Sequence, residues 1–339
     1  MSSFWHETPR LVPSLLPTLR RRLRLTGLLI GALALSALAA AAPLVLVEAE
    51  GFAQRGGWVV DPQFMDQMGS PYLLAHGLGR PVADATTEVE FPALGAYRVW
   101  VRTKDWVAQW TVPGAPGQFQ LLLNDQPLDT TFGIKGAQWH WQDGGRVDIA
   151  APRVRLALHD LTGFEGRCDA VLFAGDPNFT PPNREPEMAA FRRQCLGLPE
   201  QPERAGGFDL VVTGGGIAGT CAAVAAARLG LKVALIQDRP VLGGNNSSEV
   251  RVWLQGARNK EPWPRIGDVV AELEPDRRAH YGPANTANLY EDGKKLAVVR
   301  AEPNIRLFLE PRATAVETDA GRIRAVIAQE INTGRRWRI

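Results

Sequence analysis

One stretch constrains the fold more than any other. Residues 208–213, Phe-Asp-Leu-Val-Val-Thr, are a short apolar run of strand character that leads directly into Gly214, Gly215, Gly216, Ile217, Ala218 and Gly219. An alanine-rich segment follows and stops at Gly230, as a helix C-terminus does. A second apolar run then occupies residues 231–236, Leu-Lys-Val-Ala-Leu-Ile. Strand, glycine turn, helix and strand in that order predict a parallel βαβ unit. Each glycine has a physical task. Gly214 permits the tight turn, Gly216 lets backbone approach a diphosphate, and Gly219 lets the helix pack closely on the strand. The amides that open the helix, aided by its dipole, favour phosphate oxygens. These six residues are therefore the expected diphosphate cradle. An acidic side chain normally ends the second strand and takes ribose hydroxyls. Gln237 stands there instead, with Asp238 next, and either can hydrogen-bond a ribose.

The chain continues Asp238-Arg239-Pro240-Val241-Leu242-Gly243-Gly244-Asn245-Asn246-Ser247-Ser248-Glu249-Val250-Arg251-Val252. Together with residues 214–219, this segment resembles the FAD-dependent oxidoreductase family whose flavin modules are related to that of the flavin-carrying component of heterodisulfide reductase. The resemblance runs from about residue 208 to 339. It implies a Rossmann-type α/β domain, FAD rather than NAD as cofactor, and a flavin oxidoreductase activity. It also implies that Gly243, Gly244 and Asn245 line the cofactor beside Gln237, Asp238 and Arg239, and that Ala313 lies where backbone meets the adenine. Two readings stand for Asn246, Ser247, Ser248 and Arg251: polar contacts near the flavin ring, or an ordinary surface loop. Glu249 either caps the loop or pairs with Arg251. No catalytic acid or base is assigned, since His280 and Tyr281 are merely titratable residues in a loop.

Residues 304–310 read as the third strand of the same sheet. Residues 314–318, 322–329 and 335–339 read as a β-meander, with turns at Asp319-Ala320-Gly321 and Asn332-Thr333-Gly334. In the resembling family a strand with an Ala-Thr-Gly-like turn and a substrate domain come next. Neither occurs in these 339 residues, so the domain at 208–339 is expected to be partial, with residues 208–213 lacking one neighbouring strand.

Upstream, residues 44–176 show short alternating segments between Gly, Pro, Asn and Asp. In residues 97–102, Tyr97, Val99 and Val101 share one face and Arg98 and Arg102 the other. Residues 119–123, 154–158 and 170–173 are similar, and together they predict an antiparallel β-sandwich. Six of the ten tryptophans fall here: Trp58, Trp100, Trp106, Trp110, Trp139 and Trp141. Most are expected in the core, where a large ring buries much area. Trp106, Trp110, Trp139 and Trp141 adjoin Gly/Pro-rich loops and are the expected exposed ones, suited to stacking on sugar rings. The order of features resembles galactose-binding-like sandwiches, including carbohydrate-binding modules that open with a Glu-Ala-Glu strand. Glu48, Glu50 and Asp169 occupy comparable places, and in those modules such carboxylates can hold a structural Ca²⁺. Here they are expected to be ordinary surface charge. Residues 177–207 are rich in proline and read as a semi-rigid linker with one helix from Glu185 to about Cys195.

At the amino terminus, Arg20, Arg21, Arg22 and Arg24 precede an uncharged stretch, 25–42, that ends in alanines. Residues 1–42 are expected to be an export signal cleaved near Ala39 or Ala40; an uncleaved anchor is the alternative and the chain's only expected contact with a membrane. The arginine run faintly resembles a twin-arginine signal. A net charge of +2, with basic residues clustered only in the short runs 20–24 and 335–338, gives no electrostatic case for nucleic acid. Three widely spaced cysteines and histidines without ligand spacing give no metal site. The expected whole is an exported flavoprotein acting on a small-molecule or saccharide substrate. Its rivals are a secreted carbohydrate-binding protein with an inactive flavin fold and an NAD-only dehydrogenase.

Overall fold

In a computed structural model of the chain, residues 42–110, 113–277 and 282–339 are described. The expected export signal, apart from its last residue, and His280 and Tyr281 lie outside the described residues. No helix among those described is long and apolar enough to cross a membrane.

Period-two alternation gives the first half its strands. In chain order these are β1 (Leu44–Glu48), β2 (Val59–Asp61), the one-turn helix α1 (Met65–Met68), β3 (Tyr72–His76), β4 (Ala85–Glu90), β5 (Gly95–Thr103), β6 (Phe119–Leu123), β7 (Gln126–Phe132), β8 (His140–Ile149), β9 (Arg153–Asp160), β10 (Phe164–Cys168) and β11 (Ala170–Ala174). They pair as β1-β11-β5-β8, β4-β9-β6-β7 and β10-β3-β2. Every pairing within these sheets is antiparallel. Tyr97, Val99 and Val101 of β5 turn inward, as their spacing predicts, and join Phe173, Phe119, Leu121, Leu156 and Leu158 in one core. Each such side chain contributes roughly 1.5–3 kcal/mol on full burial.

The opposite face of β5 is covered too, which alternation alone does not reveal. The linker supplies α2 (Glu187–Leu196), close to the helix expected from Glu185 to Cys195. Met188 packs under it against Leu46, Trp100, Trp141 and Leu172, with Phe191 and Cys195 at the margin. Two expectations are corrected here. Trp139 and Trp141 are buried rather than exposed. Trp141 donates its Nε1–H to the Pro182 carbonyl, 2.9 Å away, and Trp139 packs 5.0 Å from the Tyr72 ring. Trp110 is 53% exposed and Trp106 half-buried, so those two alone of the expected four meet solvent. Glu50 and Asp169 are not surface charge either; both are buried, and Glu48 is largely so.

The second half begins with β12 (Glu203–Arg204), which pairs in parallel with β18 (Arg336–Arg338). The predicted βαβ unit is present as β13 (Leu210–Thr213), α3 (Ile217–Arg228) and β14 (Val233–Gln237). Further on come α4 (Asp268–Leu273), α5 (Asp292–Arg300), the predicted third strand β15 (Ile305–Leu309), and a meander of β16 (Pro311–Asp319), β17 (Arg322–Glu330) and β18. The parallel sheet runs β13-β14-β15, so among the described residues β13 is paired with β14 alone. Alanines let α3 lie close on this sheet, where Ala223, Val224 and Ala227 meet Val233 and Leu235. The meander covers the other side, with Val326 and Ala328 against Ala234, Ile236 and Phe308.

Residues 42–339 form one compact unit. Loops of the sandwich touch the meander directly. Arg312 donates to the Pro62 carbonyl (3.1 Å), Gln329 to the Gly69 carbonyl (2.6 Å), and Arg55 to Asn332 Oδ1 (2.6 Å). The linker is thus a packed joint rather than a spacer.

Candidate functional site

The site is built where two glycine turns meet at the start of α3. Gly214 has φ +99°, a backbone conformation that L side chains rarely adopt. A Cβ at Gly219 would collide with the Gly214 carbonyl oxygen, so the first turn of α3 closes on the strand only because that side chain is missing. Gly215 is held between Leu242 and Gln237. The second turn approaches from Gly243, whose φ is +110°. Gly243 N–H donates to the Gly215 carbonyl at 2.8 Å. A Cβ on Gly244 would lie 3.1 Å from the Gly216 Cα, so the two turns are in backbone contact.

Gly216 differs from its neighbours. The nearest atom to a Cβ built there is the Gly244 Cα at 4.0 Å, so its side faces space rather than protein. Thr220 N–H reaches back to the Gly216 carbonyl at 2.9 Å. The helix therefore has no carbonyl of its own to offer the preceding amides, those of Ile217, Ala218 and Gly219. An open glycine face beside the amides of a helix start fits a diphosphate, with the dipole of α3 adding attraction.

Gln237 is buried and ties the two turns together. Its Oε1 accepts the Gly215 N–H at 2.7 Å, and its Nε2 donates to the Val241 carbonyl at 3.0 Å. Each atom keeps one further lone pair or hydrogen for a ribose hydroxyl. Asp238 is half-exposed and lies 3.6 Å from Arg312. Arg239 spends its guanidinium on Glu249, at 2.9 Å, and that hydrogen bond raises its pKa. Glu249 hence pairs with Arg239, not with Arg251; Arg251 donates instead to the Ser248 carbonyl at 3.0 Å. Asn245 is exposed, while Asn246 and Ser247 are buried in the loop itself. Asn246 donates to the Val252 carbonyl (3.2 Å), and Ser247 Oγ accepts the Glu249 N–H (3.3 Å). Ser248 N–H is held by Asp292 at 3.1 Å. Ala313 lies across the meander in β16, paired with Ala328 at an irregularity in register.

Two residues near the site carry no sequence signal. Lys295 of α5 is fully buried against Gly243 and donates to the Tyr290 carbonyl. Burial lowers its pKa. Its setting in Asp-Gly-Lys-Lys reads as a solvated helix face. Arg312 joins Asp238 to the sandwich through the Pro62 carbonyl, a link between distant segments that spacing does not disclose. Among the described residues no group of three or more His, Cys, Asp or Glu is arranged to hold a metal.

Residues 209–338 match the family model described as FAD dependent oxidoreductase. That match supports a flavin oxidoreductase in general, carried by the carboxy-terminal part of the chain. No curated protein matches the sequence. Among solved structures, a family 35 carbohydrate binding module from Clostridium thermocellum is similar at 14% identity, covering 39% of this chain and 97% of that one, with a TM-score of 0.31. L-proline dehydrogenase from P. horikoshii is similar at 22% identity with a TM-score of 0.23; the match covers 41% of this chain and spans 22% of that enzyme. A GH26-CBM35 β-(1,4)-mannanase from Podospora anserina is similar at 15% identity, covering 78% of this chain and 65% of that one, with a TM-score of 0.32.

Proposed function

We propose that this chain is the cofactor-binding part of an exported FAD-dependent oxidoreductase, with a flavin module of the kind found in the flavin-carrying component of heterodisulfide reductase. The observation that carries the reading is the open face of Gly216, set between the Gly243-Gly244 turn and the start of α3. Gly214, Gly215, Gly216, Ile217, Ala218 and Gly219 would hold the diphosphate, Gln237 and Asp238 the ribose, and Gly243, Gly244 and Asn245 the stretch leading to the flavin ring. Bound FAD would supply the redox chemistry by accepting a hydride from a substrate C–H bond. The chain's own residues position and shield. Gln237 sets the spacing of the two turns, Asp292 pins Ser248, and Lys295 fills the floor under Gly243 so that water is excluded there. Purified protein should carry a yellow chromophore that is released as FAD on denaturation. Protein that stays colourless after incubation with FAD, yet binds a nicotinamide dinucleotide, overturns this reading in favour of an NAD-only dehydrogenase.

A second reading concerns the sandwich and has its own observation. Trp106, Trp110, Phe164 and Pro116 line an apolar cleft of about 570 Å³. Trp106 stacks 5.8 Å from Phe164 and meets Trp110 edge-on at 5.9 Å. Exposed indole beside polar Gln118 suits the apolar face of a sugar ring. This surface supports a reading in which the substrate is saccharide-related or the sandwich binds carbohydrate. Calorimetric titration with soluble oligosaccharides should give heat that Trp110→Ala abolishes. Identical heats for the two proteins count against this reading.

A further inference from the structure

A second cluster of charge lies away from the glycine turns, where the sandwich meets α2. Three carboxylates converge there: Glu48 at the end of β1, Glu50 two residues later, and Asp169 between β10 and β11. Glu50 is 3% and Asp169 0% exposed. In the sandwiches that this one resembles, such carboxylates can surround Ca²⁺, which needs several oxygens turned to one point.

Here a guanidinium lies between the Glu48 and Asp169 oxygens, while the buried Glu50 Oε2 has no hydrogen-bond partner among the described residues. Arg192 of α2, itself 5% exposed, puts Nη2 2.6 Å from Asp169 Oδ2 and Nη1 3.1 Å from Glu48 Oε2. The same Nη1 donates to Ser70 Oγ. Ser70 Oγ donates in turn to Asp169 Oδ1 at 2.8 Å. Arg102 brings a second guanidinium to 2.7 Å from Asp169 Oδ2. Both Asp169 oxygens are thereby engaged, and two buried cations repel a divalent ion from the same spot. The residues do not fit calcium.

We infer that Arg192 is the built-in counterpart of a structural cation, so that the linker helix, and no metal, neutralises and closes the carboxylate corner of the sandwich. The consequence reaches beyond charge balance. A metal-closed sandwich is complete without its linker, whereas this one loses the cation of Glu48 and one of the two cations of Asp169 if α2 leaves. Met188 anchors the same helix by apolar contact, so ion pair and packing act together. The surplus acidity is absorbed by protons: burial pushes Glu50 well above the carboxylate range and Glu48 up to about 7, against the pull of Arg192.

Elemental analysis and thermal melting of the full chain at mildly alkaline pH test this directly. The wild-type protein should contain no stoichiometric calcium and should melt at the same temperature in EDTA as in millimolar calcium. Arg192→Ala should lower that temperature by roughly 10 °C, because it leaves Glu48 unpaired and removes one of the two cations from buried Asp169. Calcium should restore part of the loss. Arg192→Lys, which keeps a cation, should lose less and ignore calcium. Should Arg192→Ala fail to fold, the wild-type comparison still decides. The inference is overturned if EDTA lowers or calcium raises the wild-type melting temperature, or if Arg192→Ala melts with the wild type.

Discussion

The Asp169 cluster of the sandwich and the glycine turns treat polar atoms in opposite ways. At the cluster, a carboxylate taken from solvent is answered from within: Asp169 meets Arg102 and Arg192, and α2 covers the strand face that carries them. At the glycine turns, polarity is left unanswered by design of the backbone. The opening amides of α3 have no carbonyl within their own helix, and Gly216 looks into space. A closed polar cluster serves stability, whereas an open one beside a dipole serves a ligand. Substitutions should therefore separate melting temperature from cofactor content, according to which half they touch.

The largest expected effect is Gly219→Val. Its side chain would enter the space of the Gly214 carbonyl oxygen, so α3 cannot seat on β13, and flavin absorbance per protein should fall to background. Asp169→Ala should leave flavin content per folded molecule unchanged while destabilising by about 3–5 kcal/mol, since buried Arg102 loses its carboxylate and buried Arg192 one of its two. Urea denaturation followed by tryptophan fluorescence reads this change. A loss of flavin without a loss of stability would break the comparison between the halves.

The aromatic cleft is a place where the sandwich leaves large side chains open to solvent. Trp139→Ala, in the core beside Tyr72, should cost about 3–5 kcal/mol. Trp110→Ala, 53% exposed, should shift stability by less than about 0.5 kcal/mol. Equal melting temperatures for these two variants would show that the cleft is structural rather than free surface.

The smallest effect is a pH slope. Burial raises Glu48 from 4.5 to about 7, with Arg192, Asp169 and Arg102 facing it and Glu50 beside it. The native state then holds a proton that the unfolded chain releases, so this group's stabilisation is present below about 4.5 and fades as pH rises towards 7. Surface acids paired with arginine, such as Glu272 and Asp143, act below that window, because their pKa values are lowered. Melting temperature should decline across the Glu48 window, and Glu48→Gln should make the decline shallower, the remainder belonging to Glu50, which burial also raises.

Much of the fold was legible because it rests on local patterns. Residues 208–236 announce β13, α3 and β14 through two apolar runs, alanines and glycines, and alternation places Tyr97, Val99 and Val101 inside. What was not legible depends on long-range cover. Arg102 shares the face of β5 opposite those residues, a pattern that reads as solvent-facing until α2 lies over it. Trp139 and Trp141 misled for the same reason, since nearby glycines suggested loops while Tyr72 and α2 enclosed them. At the site, Gly214 to Gly219 and Gln237 are expected from spacing, and Gly243 and Gly244 from the resemblance. Lys295 and Arg312 are not, because each acts across more than fifty residues of chain, on Gly243 and on Asp238.

The central claim is that the backbone around Gly216 is shaped for a diphosphate and not for the fold's own packing. Gly216→Ala isolates it, because a methyl group there meets nothing nearer than 4.0 Å. Titration of the wild type and this variant with FAD, followed by quenching of flavin fluorescence and paired with thermal melts, is the direct measurement. The account predicts equal melting temperatures for the cofactor-free proteins and an affinity weaker by about tenfold or more in the variant, a difference of at least roughly 1.4 kcal/mol. Equal affinities, or no quenching by the wild type, would contradict it.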